Sequence, residues 1–299
     1  MDLSQTTYSS CPLCGAEQFA PVVRARDFTV SGREFEIEQC SSCHLRFTQN
    51  IPDASSISTY YKSDSYVSHS DTNRGLINRV YHLVRKRSLN NKRRLIEKIT
   101  GMHKGDLLDL GAGTGAFVQF MHLAGWKAIG MEPDDGARER ARKMNGVDLL
   151  PVSEFMNQRK ESFDAITLWH VLEHVHDLHG YLDQLKLLLR PNGKIFIAVP
   201  NYLSYDADYY KKYWAAYDVP RHLYHFSPDA MKALLRKHDL RLLQTKPMWF
   251  DAFYISLLSE KYKGGAAQWM KGLYRGFLSN VQALFKNERS SSLIYVVGK

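Results

Sequence analysis

Asp106–Ala116 reads DLLDLGAGTGA, and the fold turns on how that stretch is read. A short apolar run, Leu107–Leu110, carries one acid at Asp109 and ends in Gly111, Gly113 and Gly115, after which apolar periodicity resumes at Phe117, Val118, Phe120 and Met121. A buried strand, a tight glycine turn and the start of a helix have this pattern. Glycine lets a ligand approach where a Cβ would collide, and the helix start offers free N–H groups to an anion. A second acid, Glu132, closes the next apolar run, Ala128–Met131, twenty-one residues after Gly111. An acid there can accept hydrogen bonds from both hydroxyls of a ribose. The stretch implies a nucleoside-containing cofactor on an α/β sheet. As G-x-G-x-x-A (Gly111, Gly113, Ala116) it fits a dinucleotide fingerprint, and hence a dehydrogenase. As D-x-G-x-G-x-G (Asp109–Gly115) it fits another nucleoside cofactor, and the turn alone does not choose.

Outward from the turn, strand and helix patterns alternate. Strands are expected at 106–110, 127–131, 147–150, 163–168 and 194–199, and helices at about 115–124, 134–144 and 178–189. Such alternation predicts a mainly parallel sheet with helices on both faces. Pro191-Asn192-Gly193 reads as a turn feeding the fifth strand, and Ser227-Pro228-Asp229 as a capped helix start. Strands at 240–246 and 292–298 close the sheet, with an insertion at about 247–290 between them. In it, Trp269, Met270, Leu273, Tyr274, Phe277, Leu278, Val281, Leu284 and Phe285 follow helical spacing, opposite Lys271, Arg275 and Lys286. The expectation is a helix packed on the domain through its apolar face. The alternative is a peripheral membrane contact or the wall of a lipophilic pocket.

The first fifty residues hold all four cysteines, as Cys11-Pro-Leu-Cys14 and Cys40-Ser-Ser-Cys43. Two CxxC pairs suit four thiolates around a structural Zn2+, which replaces the core so short a segment cannot build. Residues 1–50 thus read as a small zinc ribbon, with a pair of redox dithiols as the alternative. Residues 51–103 read as a linker and a basic helical cap, in which Tyr66 and His69 could close over the cofactor. Residues 104–299 form the large domain.

The chain has 299 residues, 44% apolar, with a net charge of +9. Its start, MDLSQTTYSS, lacks the basic and apolar regions of a signal peptide, and no apolar run is as long as a membrane span, so a cytoplasmic protein is expected. Between Arg74 and Lys98 lie nine Lys/Arg and one acid, Glu97. The ordinary reading is a solvated helix face; the others are an anionic membrane, nucleic acid or an acidic substrate.

Phe163–Val175, FDAITLWHVLEHV, is the second informative stretch. With DLGAGTG, with Gly130-Met-Glu-Pro133 and with Leu189–Asn201, LRPNGKIFIAVPN, it resembles class I S-adenosylmethionine-dependent methyltransferases over about 104–247 plus the last strand. That resemblance implies a seven-stranded Rossmann-like sheet whose last strand is inserted antiparallel, and S-adenosyl-L-methionine as cofactor. It implies that Gly111, Gly113 and Gly115 approach the methionine part, that Asp109 orients the turn or meets the amino group, and that Glu132 holds the ribose. Ser153, Glu154 and Phe155 would lie near adenine, with Trp169 and His170 flanking the sulfonium. The paired cysteines resemble the zinc-binding region of sugar C-methyltransferases, and VLEHV resembles quinone O-methyltransferases. The latter carry E-x-x-E-H and bind a divalent ion there. This chain has His170 for the first Glu, which weakens a site built on oxygen ligands.

His170 and His174 follow the fourth strand, where an open α/β sheet keeps its ligands, and either could remove a proton from an acceptor. A histidine bonded into its own turn is the structural alternative for His174. His170-Val-Leu-Glu173-His174 also spells a zinc-protease pattern, rejected because it follows a sheet strand. Pro220–Phe226, PRHLYHF, faces the acceptor in this fold, so His222 is a third candidate base. Arg221 and Tyr224 could touch the acceptor, while His225 could equally be packed. The aromatic run Tyr202–Tyr217 could wall an acceptor or pack on itself. The function expected is methyl transfer to O, N or C of a small or lipid-like acceptor. The alternative, a zinc- and nucleic-acid-binding protein (an RNA methyltransferase or a silent relative), rests on the ribbon and the basic run. Against it, the aromatic residues gather around the expected pocket instead of interleaving with that run.

Overall fold

A computed structural model describes residues 5–61, 76–265 and 267–299, without the side chains of 76–84. Tyr66 and His69 lie outside the described residues. In chain order the strands are β1 (Gln5–Thr6), β2 (Phe19–Arg26), β3 (Glu34–Cys40), β4 (Arg46–Thr48), β5 (Ile51–Pro52), β6 (Asp106–Leu110), β7 (Lys127–Met131), β8 (Phe163–Trp169), β9 (Leu189–Pro200), β10 (Tyr224–His225), β11 (Arg241–Pro247) and β12 (Ser292–Gly298). The α-helices are α1 (Leu76–Thr100), α2 (Ala116–Leu123), α3 (Asp135–Asn145), α4 (Leu178–Leu188), α5 (Tyr205–Tyr210), α6 (Pro228–Lys237), α7 (Asp251–Lys263) and α8 (Gln268–Phe285).

The main sheet has the order β11-β12-β9-β8-β6-β7. β7, β6, β8 and β9 are parallel, and β12 runs antiparallel between β9 and β11. The central strands are buried through Leu107–Leu110 of β6 and Ile195–Pro200 of β9, where apolar residues predominate, as burial on both faces requires. Helix starts carry the expected caps: Asp134 accepts from Ala137 N at 2.6 Å, and Ser227 from Ala230 N at 3.2 Å.

The sheet has six strands, one fewer than expected. The segment 147–150 makes one isolated bridge, Leu150 to Met131. Leu150 N donates to Gly130 O, and Leu150 O accepts from Glu132 N. The next residue, Pro151, has no N–H with which to extend the ladder. Pro191–Gly193 is likewise no free turn. It bulges out within β9, where the register with β8 jumps from Phe163–Leu189 to Ala165–Lys194.

The ribbon is not a separate body. β10, which follows β9 in sequence, pairs with β4 and completes a four-stranded sheet of order β10-β4-β3-β2. Cys11, Leu13, Cys40, Leu45 and Phe47 share one apolar cluster with Leu108, Ile166, Leu172, Phe226 and Leu234. The run Tyr202–Tyr217 welds the two sheets together: Tyr202, Tyr210, Trp214 and Tyr217 are buried against Ala25, Phe35, Ile37 and Ile255.

The insertion corrects the expected packing of its helix. α8 buries Gly272, Gly276, Ser279 and Ala283, not its large apolar residues. A Cβ on Gly276 would stand 2.7 Å from Phe253 Cα in α7, and one on Gly272 2.8 Å from Leu257 Cα. Helices this close admit only small residues at the contact, so the bulky side chains of α8 point away from α7. Among the described residues, no helix is long and apolar enough to cross a membrane. We expect Gly276→Leu to force α7 and α8 apart and lower stability by about 1–3 kcal/mol, read as a lower urea midpoint with an unchanged slope.

Candidate functional site

The parallel strands end side by side, and the sequence-predicted residues collect at those ends. β6 runs into the glycine turn, where Gly111 has φ +65° and its Cβ would lie 2.5 Å from Val171 Cγ2. No other residue fits that crossing. Gly113, at φ +55°, faces open space, and its N–H donates to Glu132 Oε2 at 2.8 Å. Asp134 N donates to the other oxygen, Oε1, at 3.1 Å. Two backbone donors thus aim the Glu132 carboxylate, and burial pushes its pKa up. Asp109 lies beneath the turn, 2% exposed, with Oδ1 accepting from Thr167 Oγ1 at 2.6 Å. Burial pushes its pKa up to about 7, against the pull of Thr167 and Lys92.

Ser153, Glu154 and Phe155 lie on a short 3-10 turn beside β7. Phe155 is buried against Tyr181, while Ser153 is exposed. Trp169 ends β8, edge-on to Phe117, and its Nε1 is buried with no hydrogen-bond partner among the described residues.

The basic run is not simply a solvated face. Lys92 turns inward, with Nζ 4.3 Å from the centre of the Trp169 ring. Burial pushes its pKa down, while Asp109 and Asp251 pull it up. Arg85 donates to Thr114 Oγ1 in the glycine turn at 3.3 Å. α1 therefore lays Arg85 on the glycine turn and Lys92 on the Trp169 ring at the end of β8.

A second hollow, about 740 Å³ in volume, opens beyond β8 and β9. His170, His174 and His222 line it, with Asp218, Asp251 and, from α7, Tyr254, Ile255, Leu258 and Tyr262. The three histidines have different chemistry. His170 sits at φ +60°. Its Nε2 is 2.8 Å from Asp251 Oδ2, and its Nδ1 is 3.3 Å from Glu173 Oε1. Burial alone would lower its pKa, but the two carboxylates push it up to about 10, so the ring is a cation at neutral pH. His174 Nδ1 lies 3.0 Å from both Arg221 O and the Tyr61 hydroxyl; the carbonyl only accepts, so a bond to it places the proton on Nδ1 and the lone pair on Nε2. Burial and the neighbouring His222 push its pKa down to about 4. His222 Nδ1 is 2.8 Å from Ala216 O, which leaves its Nε2 with a lone pair in the neutral ring.

Two expected acceptor contacts are corrected. Arg221 is 1% exposed and paired with Asp27 at 3.1 Å and Asp218 at 2.6 Å. Tyr224 is buried, with its hydroxyl 3.1 Å from His176 O. Both hold the wall instead of facing the cavity. Asp251 and Lys92 had not been singled out. Asp251 opens a helix of the insertion and gives no local signal, whereas Lys92 was visible only as one charge among nine.

Two groups of donors could hold a metal. The sulfurs of Cys11, Cys14, Cys40 and Cys43 lie within 4.8 Å of one another, with Cys11–Cys43 and Cys14–Cys40 at 3.5 Å. Ligands of a tetrahedral site with 2.3 Å bonds lie about 3.8 Å apart. Glu173, His174 and His222 offer one oxygen and two nitrogens within 4.8 Å, and Glu173 Oε2 is buried without a hydrogen-bond partner among the described residues. His170 stays outside this group, because Asp251 and Glu173 engage both of its nitrogens.

A glycine turn on the first parallel strand, an oriented acid on the second and a cavity beyond the next two define a Rossmann-like α/β protein of the nucleoside-cofactor class. Residues 57–245, more than half of the chain, match the family described as methyltransferase domain, and the chain belongs to that family. It is 26% identical over 163 residues to the mitochondrial ubiquinone biosynthesis O-methyltransferase of Homo sapiens, covering 49% of this chain and 44% of that protein. It is 28% identical over 157 residues to the C-methyltransferase NovU of Streptomyces niveus, covering 50% of this chain and 36% of that one. The chain thus spans less than half the length of either relative. The structure of a Burkholderia thailandensis 1,6-didemethyltoxoflavin-N1-methyltransferase shares the fold, with a TM-score of 0.50 and 14% identity over 92% of this chain and 99% of its own.

His170 provides a direct check of the electrostatics. Asp251→Asn removes its nearer carboxylate, so its pKa should fall from about 10 toward the ordinary 6.5, read by titrating the imidazole resonances. The folded-state pKa is the higher one. The stability lost by the variant should therefore be greatest below pH 6.5 and should vanish as pH rises through about 10.

Proposed function

We propose that this protein transfers a methyl group from S-adenosyl-L-methionine to an oxygen or carbon of a small or lipid-like acceptor. The observation that carries the reading is the aimed Glu132 carboxylate beside an open Gly113, next to a histidine-lined cavity. The residues fit the cofactor. Glu132 keeps lone pairs on both oxygens for the two ribose hydroxyls, and Gly113 admits the ligand where a side chain would intrude. Gly111 and Gly115 shape the turn around the methionine part. Asp109 braces the turn from below, and Ser153, Glu154 and Phe155 border the adenine. Trp169 Nε1, without a hydrogen-bond partner among the described residues, and Lys92 Nζ are N–H donors that suit the methionine carboxylate.

The bound cofactor supplies a methyl group already activated by its positive sulfur. What the protein must add is alignment, exclusion of water and, for a protonated acceptor, a base. His170 is charged and cannot serve as that base. His174 is neutral but weakly basic. His222 is the proton acceptor: Ala216 O holds its Nδ1, and its Nε2 lines the cavity 3.9 Å from Asp218 Oδ2. His174 stands against it, with ring centres 4.6 Å apart, and positions it. Acceptors drawn from phenols, enols or carbon acids suit such a base. The four thiolates of Cys11, Cys14, Cys40 and Cys43 hold a structural Zn2+ with no open position, remote from this chemistry.

Calorimetric titration with S-adenosylhomocysteine and, separately, NAD tests the cofactor. Binding of the first alone is expected, and binding of NAD alone would overturn the reading. Gly113→Arg should abolish S-adenosylhomocysteine binding while one equivalent of zinc per chain stays bound. His222→Ala should leave that binding unchanged and, once an acceptor is found, lower kcat by about 10²–10⁴-fold.

A further inference from the structure

The large apolar residues of α8 face solvent. Trp269 is 63% exposed, Phe277 56%, Leu284 68% and Phe285 87%, with Met270, Leu273 and Tyr274 between them. Their spacing gathers them on the side of the helix away from Gly272, Gly276, Ser279 and Ala283, which seat it on α7. An isolated exposed aromatic residue is ordinary, whereas a contiguous strip along a whole helix marks a surface that meets something apolar.

The charges around the strip say what that is. Lys271 and Lys286 are exposed on the same helix turns as the strip, and no acid lies between Glu260 and Glu288. Glu260 itself is buried and accepts from the Tyr210 hydroxyl. A second copy of the chain would set Lys271 and Lys286 against the same cations with no acid to answer them, which like-charge repulsion disfavours. A sheet of anionic lipid headgroups over acyl chains matches both features. The aliphatic and aromatic side chains enter the headgroup boundary while Lys271 and Lys286 reach the phosphates. The strip is convex, as an interfacial helix requires, and its residues do not line the cavity.

We infer that the outer face of α8 docks this protein on an anionic phospholipid bilayer. α7 lies between that face and the cavity. Phe253 and Leu257 meet the glycines of α8, and Tyr254, Ile255, Leu258 and Tyr262 line the hollow. Docking on α8 brings the cavity wall to the membrane surface, where a lipid-like acceptor resides. The docking itself does not depend on the methyl-transfer chemistry.

The test is co-sedimentation of the full chain with phosphatidylcholine vesicles containing roughly one third phosphatidylglycerol. Binding is expected to the mixed vesicles and to weaken with salt. The doubly exposed variant Leu273→Ser/Phe277→Ser should lose about tenfold or more of that partitioning, and Lys271→Gln about fivefold. Both variants should keep wild-type affinity for S-adenosylhomocysteine, which shows that they are folded and separates failure here from failure of the proposed chemistry. No binding to the mixed vesicles overturns the inference, as does equal binding to pure phosphatidylcholine. A dimer in sedimentation velocity that Leu273→Ser/Phe277→Ser dissociates also overturns it, in favour of self-association.

Discussion

A guanidinium group cannot be taken out of water without partners, and Arg221 is 1% exposed. Its partners fix what surrounds it. Asp27 comes from the end of the ribbon's second strand, Asp218 from three residues earlier, and Thr29 Oγ1 and Tyr60 O complete the shell. Asp27 is in turn held by the N–H groups of Thr29, Val30 and Ser31. This one buried charge ties the N-terminal segment to the loop that carries His222. Thr48 adds to the joint, its N–H donating to Leu223 O and its hydroxyl to His222 O. The ribbon is therefore part of the scaffold of the cavity wall, and a metal at its four cysteines would stabilise that wall from a distance.

The wall then decides how three histidines of the same intrinsic basicity come to differ. Enclosure alone would leave His170 and His174 neutral. His170 escapes because Asp251 reaches it from the start of α7 and Glu173 from the next turn. His174 has no such carboxylate at hydrogen-bond distance from its Nε2 and stays neutral. His222 is held by a backbone carbonyl, not an acid, at its Nδ1. One cationic ring, His170, and one neutral ring, His174, thus line a single cavity. The cation stabilises the buried Glu173 carboxylate, which burial would otherwise push toward protonation. The insertion that supplies Asp251 belongs to the site as much as the sheet does.

What could be read from the sequence divides along the range of the interactions. The glycine turn, Glu132 and the apolar strands were legible because their chemistry is local: a φ above zero, an acid ending a strand, a run without charges. The four cysteines were legible because two CxxC turns can meet. The strand at 147–150 misled because its apolar residues were visible, while the limit on its ladder came from one missing N–H at Pro151. Arg221 and Tyr224 misled for another reason. A polar residue beside a candidate base looks available, and only the distant Asp27 and the carbonyl of His176 show that each is already committed. Asp251 had no signal at all, since its partner lies eighty-one residues earlier in the chain.

α8 carries the same lesson to the surface. Its apolar periodicity correctly marked a helix but not the side on which it packs. Periodicity reports that one face avoids water; it does not report what replaces the water. Two glycines, Gly272 and Gly276, four residues apart, decided that question, because they let α7 approach until only hydrogen fits between the backbones. Once that contact is made, larger residues have no room on the inner side. The aromatic strip then faces outward as a geometric consequence, and it keeps that orientation whether or not anything covers it. A helix that spends its small residues on its own protein keeps its large ones for another surface.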